Sequence, residues 1–304
     1  MDAKVKLGIW AGSSPAPKES FNKGLARIKK LQIETVIPKE VIKNGCKGLN
    51  KTFPFLAGSD ADKINSLLML VNSPVRDIFC TRGGYGTLRL LPLLDGIDLS
   101  QTTPKRIWGF SDYTALQHYF FNRYGWKWVH SPMLTGSSLQ KPSPVEKKGW
   151  PVPFGLGSKT EHKVKIHVAP EFQNSRALLL GGNLASLVCL MGTAWEPTPQ
   201  EKFFLFLEDV SEAGRFVDRY LHQLYYSKFF KNCIGILTGH FTDSPGGEKI
   251  CFEFCKSKNI PCFSGVLAGH ESPNIPLPMG DVVELTRVAK NSARLTVPEL
   301  TFGW

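Results

Sequence analysis

The sequence has no long hydrophobic run. Hydrophobic residues make up 42% of its 304 residues, yet no apolar stretch reaches the roughly 20 residues that span a bilayer as a helix. The segment from Met1 to Leu7 carries charges and lacks the apolar centre of a secretory signal. We therefore expect a globular protein of the cytoplasm, without a membrane anchor.

Paired cysteine motifs are also missing. Cys251, Cys255 and Cys262 cluster without a paired CxxC spacing, so a zinc site there is less favoured than buried structural thiols. An odd number of cysteines, several of them in apolar runs, is typical of a reducing compartment. No Walker lysine and no dinucleotide fingerprint is present, and we expect neither a metal nor a cofactor. The seven cysteines are Cys46, Cys80, Cys189, Cys233, Cys251, Cys255 and Cys262.

Acidic residues are few relative to basic ones. The chain has 26 acidic and 37 basic residues, which gives a net charge of +11. The basic residues are dispersed, and their densest group, from Lys39 to Lys51, lacks the interleaved aromatic residues of a base-stacking surface. This group is therefore more typical of a solvated surface than of a nucleic-acid site, and the basic balance of the chain is compatible with an anionic small substrate.

The first half of the sequence alternates strand-like and helix-like segments, which predicts an α/β fold with a mostly parallel sheet. Three Gly/Ser-rich loops follow strands, and such loops converge at the carboxyl edge of a parallel sheet. The predicted strands are Val5–Trp10, Ile33–Ile37, Asp77–Cys80, Arg106–Phe110 and Trp126–His130, and the main predicted helices are Phe21–Leu31 and Asp60–Val71.

A change of composition suggests two domains. The segment from Leu139 to Pro153 is rich in Pro, Lys and Gly, which is typical of a linker or crossover. We therefore predict an N-terminal domain at 1–140, a linker at 141–171 and a C-terminal domain at 172–304. Val283–Arg287 and Ala293–Val297 are expected to form a terminal hairpin.

Ser111 lies where the predicted strand 106–110 turns into a helix that ends near Gly125. A serine at such a joint is raised above the sheet at the positive end of a helix, a placement that favours a nucleophile. Ser111 and Asp112 are, however, also ordinary helix-capping residues, and this segment alone favours the capping role.

A nucleophilic hydroxyl needs a base, and the base needs an orienting acid. His270 follows an apolar run that ends in Gly269, so it is predicted to lie at a strand end facing a cleft. Glu208 closes the apolar run that begins at Phe203 and is the acid candidate, while Glu212 competes for the same role. Either residue alone is also compatible with a structural role.

Six ordered segments resemble the LD-carboxypeptidase family of serine peptidases, which also includes the microcin C immunity peptidases. The resemblance spans the whole chain, and its specificity comes from the order of the six segments. They are Ala11–Pro15, Thr81–Gly86, Gly109–Thr114, Gly181–Leu184, Leu207–Arg219 and Gly269–Glu271 with the later Leu277–Gly280.

The resemblance implies a flavodoxin-like (class I glutamine amidotransferase-like) N-terminal domain and a smaller β-rich C-terminal domain. It implies a catalytic triad of Ser111, His270 and Glu208, with Glu208 preferred over Glu212. The backbone N–H groups of Asp112 and Gly84 would form the oxyanion hole, with Gly83 as the alternative to Gly84. Arg82, Gly83 and Asn183 are the substrate-binding candidates implied by the motifs.

The activity implied by the resemblance is removal of the terminal D-alanine from a murein tetrapeptide, by a protein that is commonly a homodimer. Within the family, the alternative is cleavage of a microcin-like nucleotide conjugate. An α/β-hydrolase esterase would share the chain order of the triad, but Tyr113 stands where that fold has the second glycine of its elbow. A non-catalytic binder of sugar-peptides or nucleotides is the remaining alternative.

Overall fold

The computed structural model describes residues 6–149, 160–169 and 172–299. The chain divides into two compact units, Met1–Pro142 and Ser143–Trp304. Within the described ranges, no helix is both long enough and apolar enough to span a bilayer.

The first unit is the α/β unit that the alternating pattern predicts. Its five strands run parallel in the order β2-β1-β3-β4-β5. The strands are β1 (Lys6–Trp10), β2 (Glu34–Val36), β3 (Asp77–Cys80), β4 (Arg106–Trp108) and β5 (Trp128–His130). The helices are α1 (Lys18–Lys30), α2 (Lys39–Asn44), α3 (Asp60–Val71), α4 (Leu91–Asp95), α5 (Tyr113–Tyr124) and α6 (Ser137–Gln140), with a 3₁₀ turn at Leu88–Leu90.

Local sequence signals set the ends of two of these helices. Ser59 caps α3, and its side chain and that of Asp62 each accept a hydrogen bond from the other residue's backbone N–H, the reciprocal arrangement of a capping box. Gly125 ends α5 with a φ of 66°, a left-handed conformation that glycine adopts without strain. Helix α3 therefore begins, and helix α5 ends, where the sequence predicts.

A buried ionic network joins β3 to β4 and so fixes the strand that precedes Ser111. The carboxylate of Asp77 accepts hydrogen bonds from Arg106 at 2.7 Å and from the Trp108 indole at 2.6 Å. Burial raises the pKa of Asp77, and the Arg106 charge opposes that shift. Because both bonds cross from one strand to the next, they hold the two strands in register.

The second unit contains a closed β-barrel with the strand order β10-β6-β13-β12-β7-β8-β9. Strands β7 to β10 pair in parallel, and β12 and β13 form the predicted terminal hairpin. The strands are β6 (Thr160–Val168), β7 (Ser175–Asn183), β8 (Phe203–Val210), β9 (Cys233–Thr242), β10 (Cys262–Ser264), β11 (Leu277–Met279), β12 (Val282–Ala289) and β13 (Ser292–Val297). The helices are α7 (Pro144–Gly149), α8 (Leu184–Val188), α9 (Gly214–Tyr225) and α10 (Gly247–Lys258), with a 3₁₀ turn at Phe229–Asn232.

The structure differs from the expected linker at 141–171. That stretch contains α7 and β6, and β6 pairs with β13 and β10 in the barrel. Buried His162 and Val164 alternate with exposed Glu161 and Lys163 in β6, the pattern of a strand with one face in the core. The second unit therefore starts near residue 143, and it is longer than the first rather than smaller.

Candidate functional site

Ser111 occupies a strained turn between β4 and α5. Its φ is 64°, a left-handed conformation that is uncommon for a residue with a side chain and that clusters at functional sites. Within the described ranges its hydroxyl makes no hydrogen bond, and the residue is half-buried. Asp112, at the helix start, makes no side-chain capping bond either. The capping role that the segment alone favoured is therefore not what holds Ser111 in place.

Asp112 instead ties the Ser111 turn to the loops after β1 and β3. Its buried carboxylate accepts a hydrogen bond from the Ser13 hydroxyl at 2.6 Å and one from the Thr87 backbone N–H at 3.0 Å. The Thr87 hydroxyl donates to the Asp112 carbonyl. Burial raises the pKa of Asp112, whereas the hydrogen bond from Ser13 lowers it. These contacts confirm that the three strand-end loops converge.

The glycine-rich loop after β3 packs against the nucleophile candidate through Gly83. A Cβ placed on Gly83 would lie 3.0 Å from the Ser111 Cβ and 3.1 Å from its Oγ. Gly84, with a φ of 117°, packs instead against the side chain of Ser14. Arg82 is exposed, and its guanidinium donates a hydrogen bond to the Pro15 carbonyl at 2.8 Å. Both glycines thus lie at positions where the backbone approaches its neighbours closely.

In the second unit, the structure brings His270 and Glu208 together. The Nδ1 atom of His270 lies 2.7 Å from Oε2 of Glu208, and the Glu208 side chain is fully buried. Burial lowers the pKa of His270, but the charge and hydrogen bond of Glu208 outweigh it, so the net pKa is raised above 6.5. The pair has the geometry of an imidazole whose tautomer and orientation are fixed by a carboxylate.

The backbone around this pair explains its position. Glu208 lies in β8 near its carboxyl end, where the pairing with β9 is irregular between Leu207 and Asp209, a feature that often redirects side chains beside active sites. His270 lies in the loop after β10 rather than at the strand end that the sequence suggested. It follows Gly269, where a Cβ would lie 3.3 Å from Glu208 Oε2. With a φ of 139° and little room for a Cβ, position 269 favours glycine beside the His270–Glu208 contact.

Asn183 contacts protein groups rather than open space. The Nδ2 atom of Asn183 donates to the Asp209 carboxylate at 2.9 Å. Its side-chain Oδ1 accepts from the Ser186 backbone N–H at 3.0 Å, which caps α8. Burial and the neighbouring Glu208 charge raise the pKa of Asp209 to about 6. Asn183 and Asp209 therefore form a buried polar layer next to Glu208 along β7 and β8.

Sequence reasoning did not single out Ser13, Ser14 or Thr87. Ser13 and Thr87 hold Asp112, while the Ser14 hydroxyl donates to the Phe55 carbonyl and accepts from the Tyr85 backbone N–H. Serine and threonine in loops that follow strands are too common to indicate a functional role by themselves. The sequence predicts that these loops share one edge of the sheet, but the contacts that each hydroxyl makes there are seen only in the structure.

The first unit of this mixed α/β protein holds a serine at a strained turn, the second holds a buried glutamate–histidine pair, and comparison with known proteins gives the family. Residues 7–131 match the LD-carboxypeptidase N-terminal domain, and residues 176–285 match the LD-carboxypeptidase C-terminal domain. The chain therefore belongs to the LD-carboxypeptidase family and is a serine-type carboxypeptidase.

Individual relatives agree with this family. The murein tetrapeptide carboxypeptidase of Pseudomonas aeruginosa is 30% identical over 246 residues, covering 77% of this chain and 80% of the relative. The microcin C7 self-immunity protein of Escherichia coli is 25% identical over 315 residues, covering 90% and 88% respectively. The crystal structure of muramoyltetrapeptide carboxypeptidase from Oxalobacter formigenes has the same fold, with a TM-score of 0.79 at 22% identity over 98% of this chain and 100% of that one.

Proposed function

We propose that this protein releases the terminal D-alanine from peptidoglycan-derived tetrapeptides, with Ser111, His270 and Glu208 as its catalytic triad. The 2.7 Å contact between His270 and Glu208 carries the proposal, because a buried carboxylate on one imidazole nitrogen leaves the other nitrogen to act as a base. The strained turn at Ser111 supports the nucleophile, and the murein tetrapeptide carboxypeptidase of Pseudomonas aeruginosa supports the substrate class.

In the first half of the reaction, the Ser111 Oγ attacks the carbonyl carbon that precedes the terminal D-alanine. His270 accepts the hydroxyl proton, and Glu208 stabilises the imidazolium that results. The tetrahedral intermediate then collapses, its C–N bond breaks, and His270 delivers the proton to the nitrogen of the departing D-alanine. The shortened peptide remains attached to Ser111 as an ester.

In the second half, a water molecule attacks the ester carbonyl. His270 accepts a proton from the water and returns it to the Ser111 oxygen as the C–O bond breaks. The products are a tripeptide carboxylate and free enzyme. This route needs only the triad and an oxyanion hole, and no metal or cofactor takes part.

The oxyanion hole is assigned to the backbone N–H groups of Asp112 and Gly84, with Gly83 as the alternative donor. Two N–H groups that point at a developing oxyanion stabilise it strongly. The contact between Gly83 and Ser111 favours this loop as the second half of the hole. Arg82 and Gly83 are proposed to contact the substrate, with the Arg82 guanidinium suited to its terminal carboxylate. Asn183 is buried, and its side-chain amide already binds Asp209 and the Ser186 N–H, so we assign it a positioning role instead of a substrate contact.

The proposal extends to the fold and the assembly. The order β2-β1-β3-β4-β5 supports a flavodoxin-like first domain. The enzyme is proposed to act as a cytoplasmic homodimer in the reuse of cell-wall fragments, with Ser111 supplied by the first domain and Glu208 and His270 by the second. Separately expressed halves of the chain would then each be inactive.

The direct test is mass spectrometry of a defined murein tetrapeptide after incubation with the enzyme. We expect a product that has lost one alanine, together with free D-alanine. A tetrapeptide that ends in L-alanine is the matched control and should remain intact. An unchanged D-alanine substrate would contradict the proposed activity.

A nucleotide conjugate is the second substrate candidate, favoured by the 25% identity to the microcin C7 self-immunity protein. An aminoacyl-sulfamoyl nucleoside offered at the same concentration separates the two candidates. A higher kcat/KM for the murein tetrapeptide supports the first candidate, and a higher value for the conjugate supports the second.

A further inference from the structure

Three aromatic side chains on the first unit form an exposed cluster beside the loops that hold Ser111. Phe53, Phe55 and Tyr85 are 37%, 44% and 47% exposed; we call them the aromatic patch. The Phe53 and Phe55 ring centroids lie 6.0 Å apart, and those of Phe55 and Tyr85 lie 5.6 Å apart. An exposed group of large apolar side chains marks a binding surface more often than an isolated one does.

The aromatic patch is built on an anchored loop. The Asn50 side chain accepts hydrogen bonds from the backbone N–H groups of Thr52 and Phe53, both at 2.9 Å. The guanidinium of Arg89 lies 5.8 Å from the Phe53 ring centroid and is held by Asp60 at 2.6 Å. These contacts hold the loop and the Phe53 ring in place before any ligand arrives, which lowers the entropy cost of binding.

Hydrogen bonds connect the aromatic patch to the nucleophile loops. The Ser14 hydroxyl donates to the Phe55 carbonyl at 2.7 Å and accepts from the Tyr85 N–H at 3.1 Å. Tyr85 comes two residues after Gly83, so the Cα atoms of Gly83 and Tyr85 are at most about 7.6 Å apart. Gly83 in turn lies against Ser111. A substrate whose scissile bond lies at Ser111 would need only a few residues to reach the patch.

The chemistry of the patch selects the part of the substrate that it can bind. The peptide stem before the scissile bond has three residues, which extend up to roughly 10 Å, and its far end carries the amino sugar in a muropeptide. The peptide stem is polar and charged, whereas a sugar ring offers apolar C–H faces. The patch rings meet at interplanar angles of 84° and 72°, which makes a stepped surface rather than the parallel faces that would enclose a flat base.

We propose that Phe53, Phe55 and Tyr85 bind a carbohydrate ring of the substrate, so that the enzyme prefers sugar-bearing muropeptides to the free tetrapeptide. This inference rests on the proposed function for the identity of the substrate. Three rings are too few for a stable protein–protein interface, which needs about 800 Å² on each partner, whereas they match the size of one or two sugar rings.

The test compares a disaccharide-tetrapeptide with the free tetrapeptide in the full-length enzyme. Phe55→Ala and the double variant Phe53→Ala/Phe55→Ala should raise KM for the sugar-bearing substrate about fivefold to tenfold, the change expected when an aromatic contact is lost. Their kcat, and both constants for the free tetrapeptide, should stay as in the wild type. Phe55→Tyr should retain the preference, and Tyr226→Ala, which removes a 73% exposed aromatic side chain from the second unit, should change nothing.

A binding experiment keeps this inference separable from the proposed function. In the Ser111→Ala background, calorimetric titration with the disaccharide alone should show binding that Phe55→Ala weakens. If the wild type cleaves neither peptide, the proposed function fails, and the titration still decides whether the sugar site exists. The sugar site is refuted if the disaccharide does not bind, or if the patch variants affect both substrates equally. The sugar site is also refuted if the Phe53 and Phe55 variants affect only the cleavage of a nucleotide conjugate, or if these variants change the mass of the protein in solution and hence its oligomeric state.

Discussion

The ring of His270 and the carboxylate of Glu208 meet at 2.7 Å, and Glu208 is entirely removed from solvent. A fully buried carboxylate is costly unless it is paired and hydrogen-bonded, so this contact stabilises the charged form of the imidazole. In a serine peptidase, that imidazolium is the species that forms during attack on the substrate. The same contact therefore links the pKa of His270, the rate and the stability.

The pH dependence of the rate should report this contact. The base must be neutral to accept a proton, so kcat/KM should rise with pH through an apparent pKa above 6.5, the ordinary value for histidine. Glu208→Gln should lower that apparent pKa and reduce kcat by about 10³-fold to 10⁴-fold, as expected when the orienting acid loses its charge. Steady-state kinetics across the pH range measures both effects.

A second histidine–glutamate pair provides a matched control. Nδ1 of His240 lies 3.2 Å from Oε1 of Glu271, whose side chain is 54% exposed. Glu271→Gln should leave the rate profile unchanged, because this exposed carboxylate contacts His240 and not the His270 ring and exposed ion pairs contribute little. Equal effects of the two glutamate substitutions would argue against Glu208 as the orienting acid.

The raised pKa of His270 also predicts the direction in which stability changes with pH. A histidine with a higher pKa in the folded than in the unfolded chain contributes stability that is fully present below its unfolded pKa, about 6.5. That contribution is lost as the pH rises through the folded value. The difference in unfolding free energy between wild type and His270→Gln should therefore be larger near about pH 5.5 than near about pH 8.5. Denaturant titrations at the two pH values measure it, and the opposite ordering would contradict the assigned shift.

Gly83 and Gly84 should respond differently to an added methyl group. Gly83→Ala places a carbon 3.0 Å from the Ser111 Cβ, so kcat should fall by about 10²-fold or more through misplacement of the nucleophile. Gly84→Ala introduces an overlap with Ser14 at a φ of 117°, so it should destabilise the fold by about 2 kcal/mol. Thermal unfolding and single-turnover kinetics separate the two outcomes, and a Gly83→Ala enzyme with full activity would argue against the assigned contact.

Replacing Ser111 should separate activity from stability. The residue holds a φ of 64°, which costs about 1 to 3 kcal/mol for a residue with a side chain. Ser111→Gly should therefore be inactive yet more stable than the wild type by about 1 kcal/mol, after the entropy that glycine adds to the unfolded chain is subtracted. Unfolding in urea checks this, and a less stable glycine variant would mean that the turn is not strained.

Much of the first unit followed from local sequence signals. The capping box at Ser59 and the left-handed Gly125 mark helix ends through backbone chemistry that depends on a few neighbouring residues. The short apolar runs of β1, β3 and β4 likewise predict buried strands. The convergence of the loops at Ser111 followed from the general geometry of parallel sheets.

The second unit was harder to predict because its contacts are distant in sequence. Strand β6 stands beside a stretch rich in proline and lysine, and its partners β13 and β10 come about a hundred residues later or more. The approach of His270 to Glu208 spans 62 residues and depends on a loop whose path local propensity does not specify. The residues alone proposed His270 and Glu208 but left Glu212 as a competitor, and the family resemblance favoured Glu208 over Glu212.

The central claim is that the Ser111 hydroxyl is the nucleophile that releases D-alanine, and Ser111→Ala tests it most directly. D-Alanine release from a murein tetrapeptide should be followed for wild type and Ser111→Ala, with the disaccharide-free substrate and equal amounts of folded protein. We predict that the variant binds the peptide but loses activity by about 10⁴-fold or more. Release of D-alanine by Ser111→Ala at a rate close to that of the wild type would contradict the account.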